Sequence, residues 1–318
     1  MYTEFYGFSE EPFALSPDPR FLYPARSHFE TLSSMLSGIK ERKGIIVVTG
    51  EVGLGKTLLI YALLKDLSEK IKTAFIFNPG FETKGLLKNI LRDLDVPFGE
   101  KEENLLSLMT RFRDYLNACH AQGEIVAVVI DEAQNLDEEV LLALGRFCSP
   151  DIPASRALQI LLVGHPELEV KLEGLKLRPL RQLMQVHCRI SPLTREEGRE
   201  YIAHRLKMAG RELSHVFSPK VPDIVWEFSQ GVPRVINLVC DRALLNGYVK
   251  SSPVIDVKTA KEAIKELAHL RPWNHKSFPP FLSLSRMQSR GARILFILLA
   301  FLAFFFSLGM LAKWVFQV

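Results

Sequence analysis

The chain has 318 residues, enough for about two domains, and its 47% apolar and 24% charged residues exclude a disordered chain, a collagen-like chain or a small disulfide scaffold. Its net charge of +4 comes from the C-terminal end, because six of the 40 Lys and Arg residues follow residue 270 and no Asp or Glu does. Residues 1–270 therefore hold 34 basic and 36 acidic groups, a balance that does not favour a nucleic-acid partner.

Residues 1–43 are predicted to form an N-terminal arm followed by the first helix of the main domain. The arm is rich in aromatic residues and proline, as in YGFSEEPFALSPDPRFLY at residues 6–23. Ser27 is a suitable N-cap, so we expect the helix to begin there and to reach about Lys43.

Residues 44–191 are predicted to form an α/β core. Apolar, β-branched runs predict buried strands at residues 45–49, 73–77, 125–130 and 158–163, and helical patterns at 56–71, 83–94 and 102–121 alternate with them. Such alternation is typical of a parallel sheet covered by helices on both faces. Four widely spaced cysteines form no Cys-x-x-Cys pair and are interpreted as reduced thiols.

Residues 192–270 are predicted to form a small all-helical lid domain. Amphipathic patterns cover 194–209, 219–230, 233–249 and 256–270, with glycine, serine and proline between them. Residues 271–293 then read as a basic linker.

Residues 294–312 (ILFILLAFLAFFFSLGMLA) contain no charged side chain and are predicted to form one transmembrane helix. Nineteen residues in a helix span about 28 Å, close to the ~30 Å of a bilayer core. Five Lys and Arg residues precede this run within 271–293 and only Lys313 follows it, so the positive-inside rule places residues 1–293 in the cytoplasm. Residues 313–318 would be a short tail.

A phosphate-binding loop is predicted where GEVGLGKT matches G-x-x-x-x-G-K-[ST]. The glycines let backbone N–H groups point at phosphate oxygens, and the helix that follows adds the positive end of its dipole. We expect Lys56 to reach the β and γ phosphates of ATP and Thr57 to bind Mg²⁺. The residues predicted to bind nucleotide here are Gly50, Glu51, Val52, Gly53, Leu54, Gly55, Lys56 and Thr57.

Asp131 and Glu132 follow the buried run at 125–130, some 75 residues after the loop. Strand ends in a parallel sheet meet at one edge, so both carboxylates are expected beside the phosphates. Asp131 would bind Mg²⁺ through water, and Glu132 would polarise the attacking water. The alternative is a strand that ends in a solvated acidic turn.

Arg234 lies in the first turn of a lid helix, within GVPRVIN at residues 231–237. An Arg at that position can project over a bound γ phosphate and report hydrolysis to the lid. The alternative is a solvated Arg at a helix start.

Together these motifs resemble the AAA+ superfamily, and within it the ExeA or general secretion pathway protein A group of membrane-anchored ATPases. The resemblance covers about residues 1–270, and the motifs that carry it are Tyr2, FYGF at 5–8, PF at 12–13, PDPRFLY at 17–23, GEVGLGKT at 50–57, DEAQNL at 131–136, GHPEL at 164–168, LRQL at 180–183 and GVPRVIN at 231–237.

This resemblance implies an ATPase that uses ATP and Mg²⁺ to assemble or energise secretion, pilus or polysaccharide-export machinery at a bacterial inner membrane, acting as a homo-oligomer or with another ATPase. It also implies that His165, where relatives commonly have Gln, senses the γ phosphate. The arginine inserted by a neighbouring subunit has three candidates, Arg178, Arg181 and Arg189. Several relatives carry a periplasmic peptidoglycan-binding domain, which is not expected here.

The adenine site has three candidates before the first helix, Phe21, Leu22 and Tyr23, with ordinary packing of the arm as the alternative. Two other functions are considered: a DNA-binding ATPase of the transposition or initiation type, and a scaffold that binds ATP but barely hydrolyses it. Net charge and the apolar C-terminal run argue against the first, and no nucleic-acid partner is expected.

Overall fold

A five-stranded parallel sheet organises the first two thirds of the chain in the computed structural model, which describes residues 2–68, 70–80, 82–99, 104–149 and 151–268. The strand order is β2-β3-β4-β1-β5, so the central strands are buried on both faces. The strands are β1 (Ile45–Thr49), β2 (Ile71–Ile76), β3 (Ile125–Ile130), β4 (Leu158–Gly164) and β5 (Met184–Arg189).

Alternate residues of each strand point to opposite sides of the sheet. Both faces of the sheet are therefore apolar, and helices cover both of them. In β1, Ile45 and Val47 join the apolar cluster of one face, whereas Ile46 and Val48 join the other. The core helices are α2 (Arg26–Lys40), α3 (Lys56–Asp66), α4 (Thr83–Asp93), α5 (Leu105–Ala121), α6 (Glu138–Phe147), α7 (Pro166–Leu172) and α8 (Arg178–Gln182). The predicted α/β fold with a parallel sheet between helices is confirmed.

The lid consists of helices around a separate apolar cluster. Thr194 caps its first helix with a capping box, in which the hydroxyl accepts from the N–H of Glu197 and the Glu197 carboxylate accepts from the N–H of Thr194. The lid helices are α9 (Arg195–Met208), α10 (Leu213–Val216), α11 (Val221–Ser229), α12 (Pro233–Val249) and α13 (Val257–Glu266).

The N-terminal arm, predicted only as a segment that precedes the first core helix, packs with the lid. Its aromatic side chains Tyr2, Tyr6, Phe8 and Phe13 belong to the lid cluster. The Tyr2 hydroxyl, in α1 (Tyr2–Tyr6), donates to Asp241 Oδ1 of α12 at 2.6 Å. The arm and the lid helices therefore form one packed body.

The chain passes between this body and the core at two neighbouring places. Ala25 belongs to the lid cluster and α2 begins one residue later, whereas Ile190 belongs to the core and Leu193 to the lid. The two crossings touch, since the N–H of Ser191 donates to Ser27 Oγ at 2.9 Å.

Three differences from the sequence prediction have physical causes. The fifth strand, β5, was not predicted because it is an edge strand whose residues alternate between half-buried and exposed rather than forming an apolar run. The N-cap of α2 is Ala25 instead of Ser27, and the Ser27 hydroxyl instead accepts from the second crossing. The helix after the loop ends at Asp66 and not at residue 71 as predicted, because Ile71 is the first residue of β2.

The predicted transmembrane helix at 294–312, the linker at 271–293 and the tail at 313–318 lie outside the described residues. Among the helices that the structure does describe, none combines the length and the apolar character needed to cross a bilayer.

Candidate functional site

The phosphate-binding loop connects β1 to α3 at the carboxyl edge of the sheet. Gly53 and Gly55 have φ angles of 84° and 88°, in the left-handed region that favours glycine. A Cβ on Gly53 would lie 2.8 Å from the Cβ of Arg234, so this position also requires glycine for close contact with the lid. The loop backbone therefore curls beneath the start of the lid helix α12.

Lys56 is buried inside this loop. Its Nζ donates to the carbonyl oxygens of Gly50 at 2.8 Å and Glu51 at 3.1 Å. Burial lowers the pKa of Lys56, while the nearby Glu132 and Asp131 carboxylates oppose that shift. The ammonium group is therefore held at the loop, where phosphate oxygens can exchange for the two carbonyl oxygens.

Asp131, at the end of β3, is completely buried and lies against α3. Thr57 Oγ1 donates to Asp131 Oδ2 at 2.6 Å, and the N–H of Glu132 donates to Asp131 Oδ1 at 2.9 Å. Because the Thr57 hydroxyl donates its proton to this carboxylate, the lone pairs of its oxygen remain available to a cation. Burial raises the pKa of Asp131 above its ordinary value, and the Thr57 bond partly offsets the shift.

The residues present fit Mg²⁺, which keeps several waters and takes few protein ligands beside a nucleotide. Within the described residues, no group of three or more His, Cys, Asp and Glu side chains could bind a metal by itself. A hydroxyl and a carboxylate, Thr57 and Asp131, are thus a donor set for an ion that also needs phosphate and water.

Mg²⁺-dependent nucleotide binding is expected to weaken on acidification. Because the pKa of Asp131 is raised, this carboxylate takes up a proton at a higher pH than an exposed Asp and then cannot attract the cation. We expect the Mg²⁺ concentration needed for half-maximal ATP binding to increase when the pH falls from about 7.5 to about 5. Titration calorimetry at each pH would measure it. An Asp131→Asn variant, which resembles the protonated carboxyl, should need a higher Mg²⁺ concentration already at pH about 7.5 and should show a smaller further increase at pH about 5. A wild type whose increase is no larger than that of the variant would contradict the assignment.

Glu132 lies next to the loop in a strained backbone conformation, with φ 56° and ψ 37°. Its Oε2 accepts from Gln134 Nε2 at 2.6 Å and lies 3.4 Å from His165 Nε2. Glu132 and His165, which follow the ends of β3 and β4, both line the cleft.

Gln134 is a site residue that the sequence analysis did not single out. Its Oε1 accepts from the backbone N–H of His165 at 3.1 Å, while its amide group donates to Glu132. A Cβ on Gly164 would lie 2.7 Å from Gln134 Oε1, so a larger residue there would displace the Gln134 amide from its present position. Gln134 thereby joins the acidic turn to the start of α7, and its place in DEAQNL was the available signal.

Arg234 brings the lid to the loop. Its backbone N–H donates to Gly53 O at 3.2 Å, and its side chain is exposed at the cleft. The first turn of α12 thus touches the phosphate-binding loop directly.

These groups line one cleft with a volume of about 220 Å³. Lys56, Thr57, Glu132, His165 and Arg234 all contribute to its wall. Residues 14–18 of the arm and Tyr201 and Arg205 of the lid form the opposite side. The loop, the Glu132 carboxylate and a cationic lid residue line this cleft, and Asp131 lies behind Thr57. Such an arrangement can bind a metal–polyphosphate and direct a water to it.

The adenine candidates separate into two groups. Phe21 is 4% exposed, and the guanidinium carbon of Arg205 lies 4.6 Å from its ring centroid, so Phe21 is a packing residue. Leu22 and Tyr23 instead line a smaller cavity beside the cleft.

The three candidate arginines differ in their surroundings. Arg181 Nη1 donates to Glu173 O at 2.9 Å and so stabilises the end of α7. Arg178 and Arg189 are exposed, and Arg189 ends β5 beside Thr49 at the loop's edge of the sheet. The two exposed residues remain candidates for contact with a neighbouring subunit.

Comparison with known proteins adds independent information. Residues 39–172 match the family described as AAA domain. The chain is 36% identical over 252 residues to general secretion pathway protein A of Aeromonas hydrophila, covering 79% of this chain and 46% of that protein. It is 24% identical over 251 residues to an uncharacterized HTH-type transcriptional regulator of Methanocaldococcus jannaschii, covering 74% of this chain and 60% of that protein. The chain thus spans about half the length of these curated relatives.

Among solved structures, Cdc6p of Pyrobaculum aerophilum is similar with a TM-score of 0.66 at 17% identity, covering 80% of this chain and 70% of that one. At this identity the likeness concerns the fold alone.

Proposed function

Because the chain belongs to the AAA+ ATPases related to general secretion pathway protein A, we propose that it binds and hydrolyses ATP with Mg²⁺. One observation carries the proposal: Lys56, Thr57 and Glu132 line a single cleft whose floor is a P-loop, with Asp131 hydrogen-bonded to Thr57. A P-loop with a hydroxyl group and a carboxylate beside it suits the phosphates and Mg²⁺ of a nucleoside triphosphate.

In the proposed reaction, Lys56 and the loop N–H groups bind the phosphates, and Thr57 and Asp131 hold Mg²⁺. The metal, when bound, neutralises charge on the β and γ phosphates. Glu132 accepts a proton from a water whose oxygen attacks the γ phosphorus, while the bond from that phosphorus to the bridging oxygen breaks, giving ADP and phosphate.

His165 and Arg234 are proposed to respond to the γ phosphate. His165 lies 3.4 Å from the Glu132 carboxylate, and Arg234 contacts the loop through its backbone. Loss of the γ phosphate would therefore change the contacts of the acidic turn at Glu132 and those of the lid at Arg234.

Oligomerisation is part of the proposal, because AAA+ sites commonly receive an arginine from a neighbouring subunit. Arg178 and Arg189 are exposed and suited to this role. A subunit-supplied arginine can raise turnover by about 10³–10⁵. Phosphate release from ATP by the purified protein is the direct test of function, and retained ATP without release would instead favour a nucleotide-binding scaffold.

We further propose that the ATPase acts at the inner membrane on an envelope secretion, pilus or export system. The apolar run at 294–312, the basic residues before it and the relation to general secretion pathway protein A support this. A DNA-binding ATPase is the alternative, but the near-neutral charge of residues 1–270 does not favour it.

Removal of residues 271–318 is expected to release the protein from membranes. After cell fractionation, the full chain should be found with the membranes and resist a high-salt wash, because an apolar segment does not depend on ionic contacts. The shortened protein should be in the supernatant. Matched substitution of the five Lys and Arg residues in 271–293 by Gln should leave the full-length protein at the membrane, and a full chain that salt removes would contradict the proposal.

A further inference from the structure

One carboxylate joins the start of the lid helix α9 to the start of the core helix α2. Glu197, in the first turn of α9, accepts through Oε1 from the N–H of Arg26 and through Oε2 from the N–H of Thr194, both at 2.9 Å. Arg26 is the first residue of α2, and Thr194 is the N-cap of α9. The two oxygens of Glu197 therefore bind the two places where the chain passes between core and lid.

The bond to Arg26 supplies a cap that α2 does not have in its own sequence. The N-cap of α2 is Ala25, whose methyl group cannot accept from the free N–H groups of the first helical turn. The Glu197 carboxylate accepts from one of these groups and places a negative charge at the positive end of the helix dipole. The start of a core helix is thus capped by a residue of the lid.

The surroundings of Glu197 favour its charged form. Partial burial would by itself raise the pKa of Glu197, but the bonds from the backbone N–H groups of Thr194 and Arg26 hold that pKa below its ordinary value. The carboxylate is therefore ionised near pH 7, and both bonds are charge-assisted.

The first turn of α9 is also fixed to the segment that carries Arg234. Just before α9, the N–H of Leu193 donates to Gly231 O at 2.9 Å, and Trp226 Nε1 donates to Leu193 O at 2.9 Å. A Cβ on Gly231 would overlap the carbonyl oxygen of Leu193, so the two segments are in close contact. Arg234 follows Gly231 by three residues, and its N–H donates to Gly53 O. A shift at the start of α9 would therefore also shift the start of α12.

The core helix α2 contacts the phosphate-binding loop as well, since His28 Nε2 lies 2.7 Å from Leu54 O. Three contacts thus connect three parts of the molecule in a closed circuit. His28 connects α2 to the loop, Arg234 connects the loop to the lid, and Glu197 connects the lid back to α2. Loss of the Glu197 bond would remove one side of this circuit and leave the lid less firmly placed over the loop.

We infer that Glu197 is a positioning residue of the nucleotide site, which caps α2 from the lid and thereby holds Arg234 where it meets the γ phosphate. The inference rests on the proposed function, and it adds the residue that sets the position of the lid. ATP carries the γ phosphate and ADP does not. Loss of the Glu197 bond should therefore weaken the binding of ATP more than the binding of ADP.

Glutamine at residue 197 tests this role because it has the shape of glutamate but only one accepting oxygen. Glu197→Gln can accept from one of the two N–H groups and presents a donor to the other. Glu196→Gln is the control for charge, since Glu196 is an exposed carboxylate in the same helical turn. Thr194→Ala is the control for helix capping, since it removes the hydroxyl of the capping box and leaves both N–H groups that bind the Glu197 carboxylate.

The affinities of the full chain for ADP and for a non-hydrolysable ATP analogue would be measured by titration calorimetry with Mg²⁺. We expect Glu197→Gln to reduce the preference for the ATP analogue over ADP by roughly three- to tenfold, and both controls to retain it. Adding Glu197→Gln to Arg234→Ala should reduce the preference no further than Arg234→Ala alone, because both substitutions remove the same contact. A purely structural role of Glu197 would lower the unfolding temperature without producing this non-additivity.

An unchanged preference in Glu197→Gln, an equal loss in Thr194→Ala, or additive losses in the double variant would overturn the inference and leave the proposed function standing. An Arg234→Ala protein with the wild-type preference would remove the proposed response of Arg234 to the γ phosphate, and this inference with it. A wild type that binds neither nucleotide would remove the proposed function as a whole.

Discussion

Replacing Glu132 with Gln is expected to reduce ATP turnover about 10²- to 10⁴-fold, the range usual for loss of a general base. Glutamine has the shape of glutamate and can still accept from the Gln134 amide through its oxygen, so the turn at residue 132 should persist. It cannot accept a proton from water. Steady-state phosphate release with saturating ATP and Mg²⁺ measures the loss.

A matched control is Glu139→Gln, because Glu139 is an exposed carboxylate one helix away from the site. This variant should hydrolyse ATP at the wild-type rate. The affinity of Glu132→Gln for ATP should stay within a few-fold of the wild type, since the phosphates bind through the loop. An unchanged rate in Glu132→Gln would mean that this carboxylate does not take the proton.

Replacing Lys56 with Ala is expected to weaken ATP binding by about 100-fold, because its ammonium group makes charge-assisted bonds of about 3 kcal/mol to phosphate. The folded protein should not lose stability to the same extent. Burial lowers the pKa of Lys56, so the charge is held at a cost that its removal relieves. Thermal unfolding with and without ATP separates binding from stability.

In the wild type, ATP should raise the unfolding temperature, whereas in Lys56→Ala that increase should vanish and the temperature without ATP should change little. Lys65→Ala provides the control, as Lys65 is an exposed lysine in the last turn of the same helix. A Lys56→Ala protein that ATP stabilises as much as the wild type, at the same ATP concentration, would show that Lys56 does not bind the triphosphate.

The motif residues and the strands that position them could be predicted from sequence because each depends on local chemistry. Glycine at 53 and 55 supplies the positive φ angles, and the apolar run at 125–130 delivers Asp131 and Glu132 to the sheet edge. Such features are encoded within a few residues. The parallel sheet follows from their alternation with helices.

Two features depend on distant contacts and could not be read from local pattern. Gln134 belongs to the site because Gly164, thirty residues later, leaves room for its amide. His28 is buried because it packs against the phosphate-binding loop, where its Nε2 lies 2.7 Å from Leu54 O. Helical periodicity shows that His28 is in a helix, but it contains no information about what the side chain meets.

The arm likewise has an aromatic composition that predicts burial without saying where. Phe13 packs in the cluster formed by α9 to α13, and the arm's carbonyl oxygens of Pro12 and Ala14 accept from Arg205. Those partners lie nearly two hundred residues away in the chain, beyond the reach of any periodicity.

The paired crossings at Ala25 and Ser191 restrict the mechanics of nucleotide-driven movement. A lid joined to the core by one chain segment could rotate about that segment. Two adjacent connections restrict this rotation and leave rotation about the line that joins them. The lid would then open and close relative to the core mainly by rotation about this one hinge axis. Because α1 and α13 pack in the same apolar cluster as α12, a displacement of Arg234 by the nucleotide would move both of them together with α12.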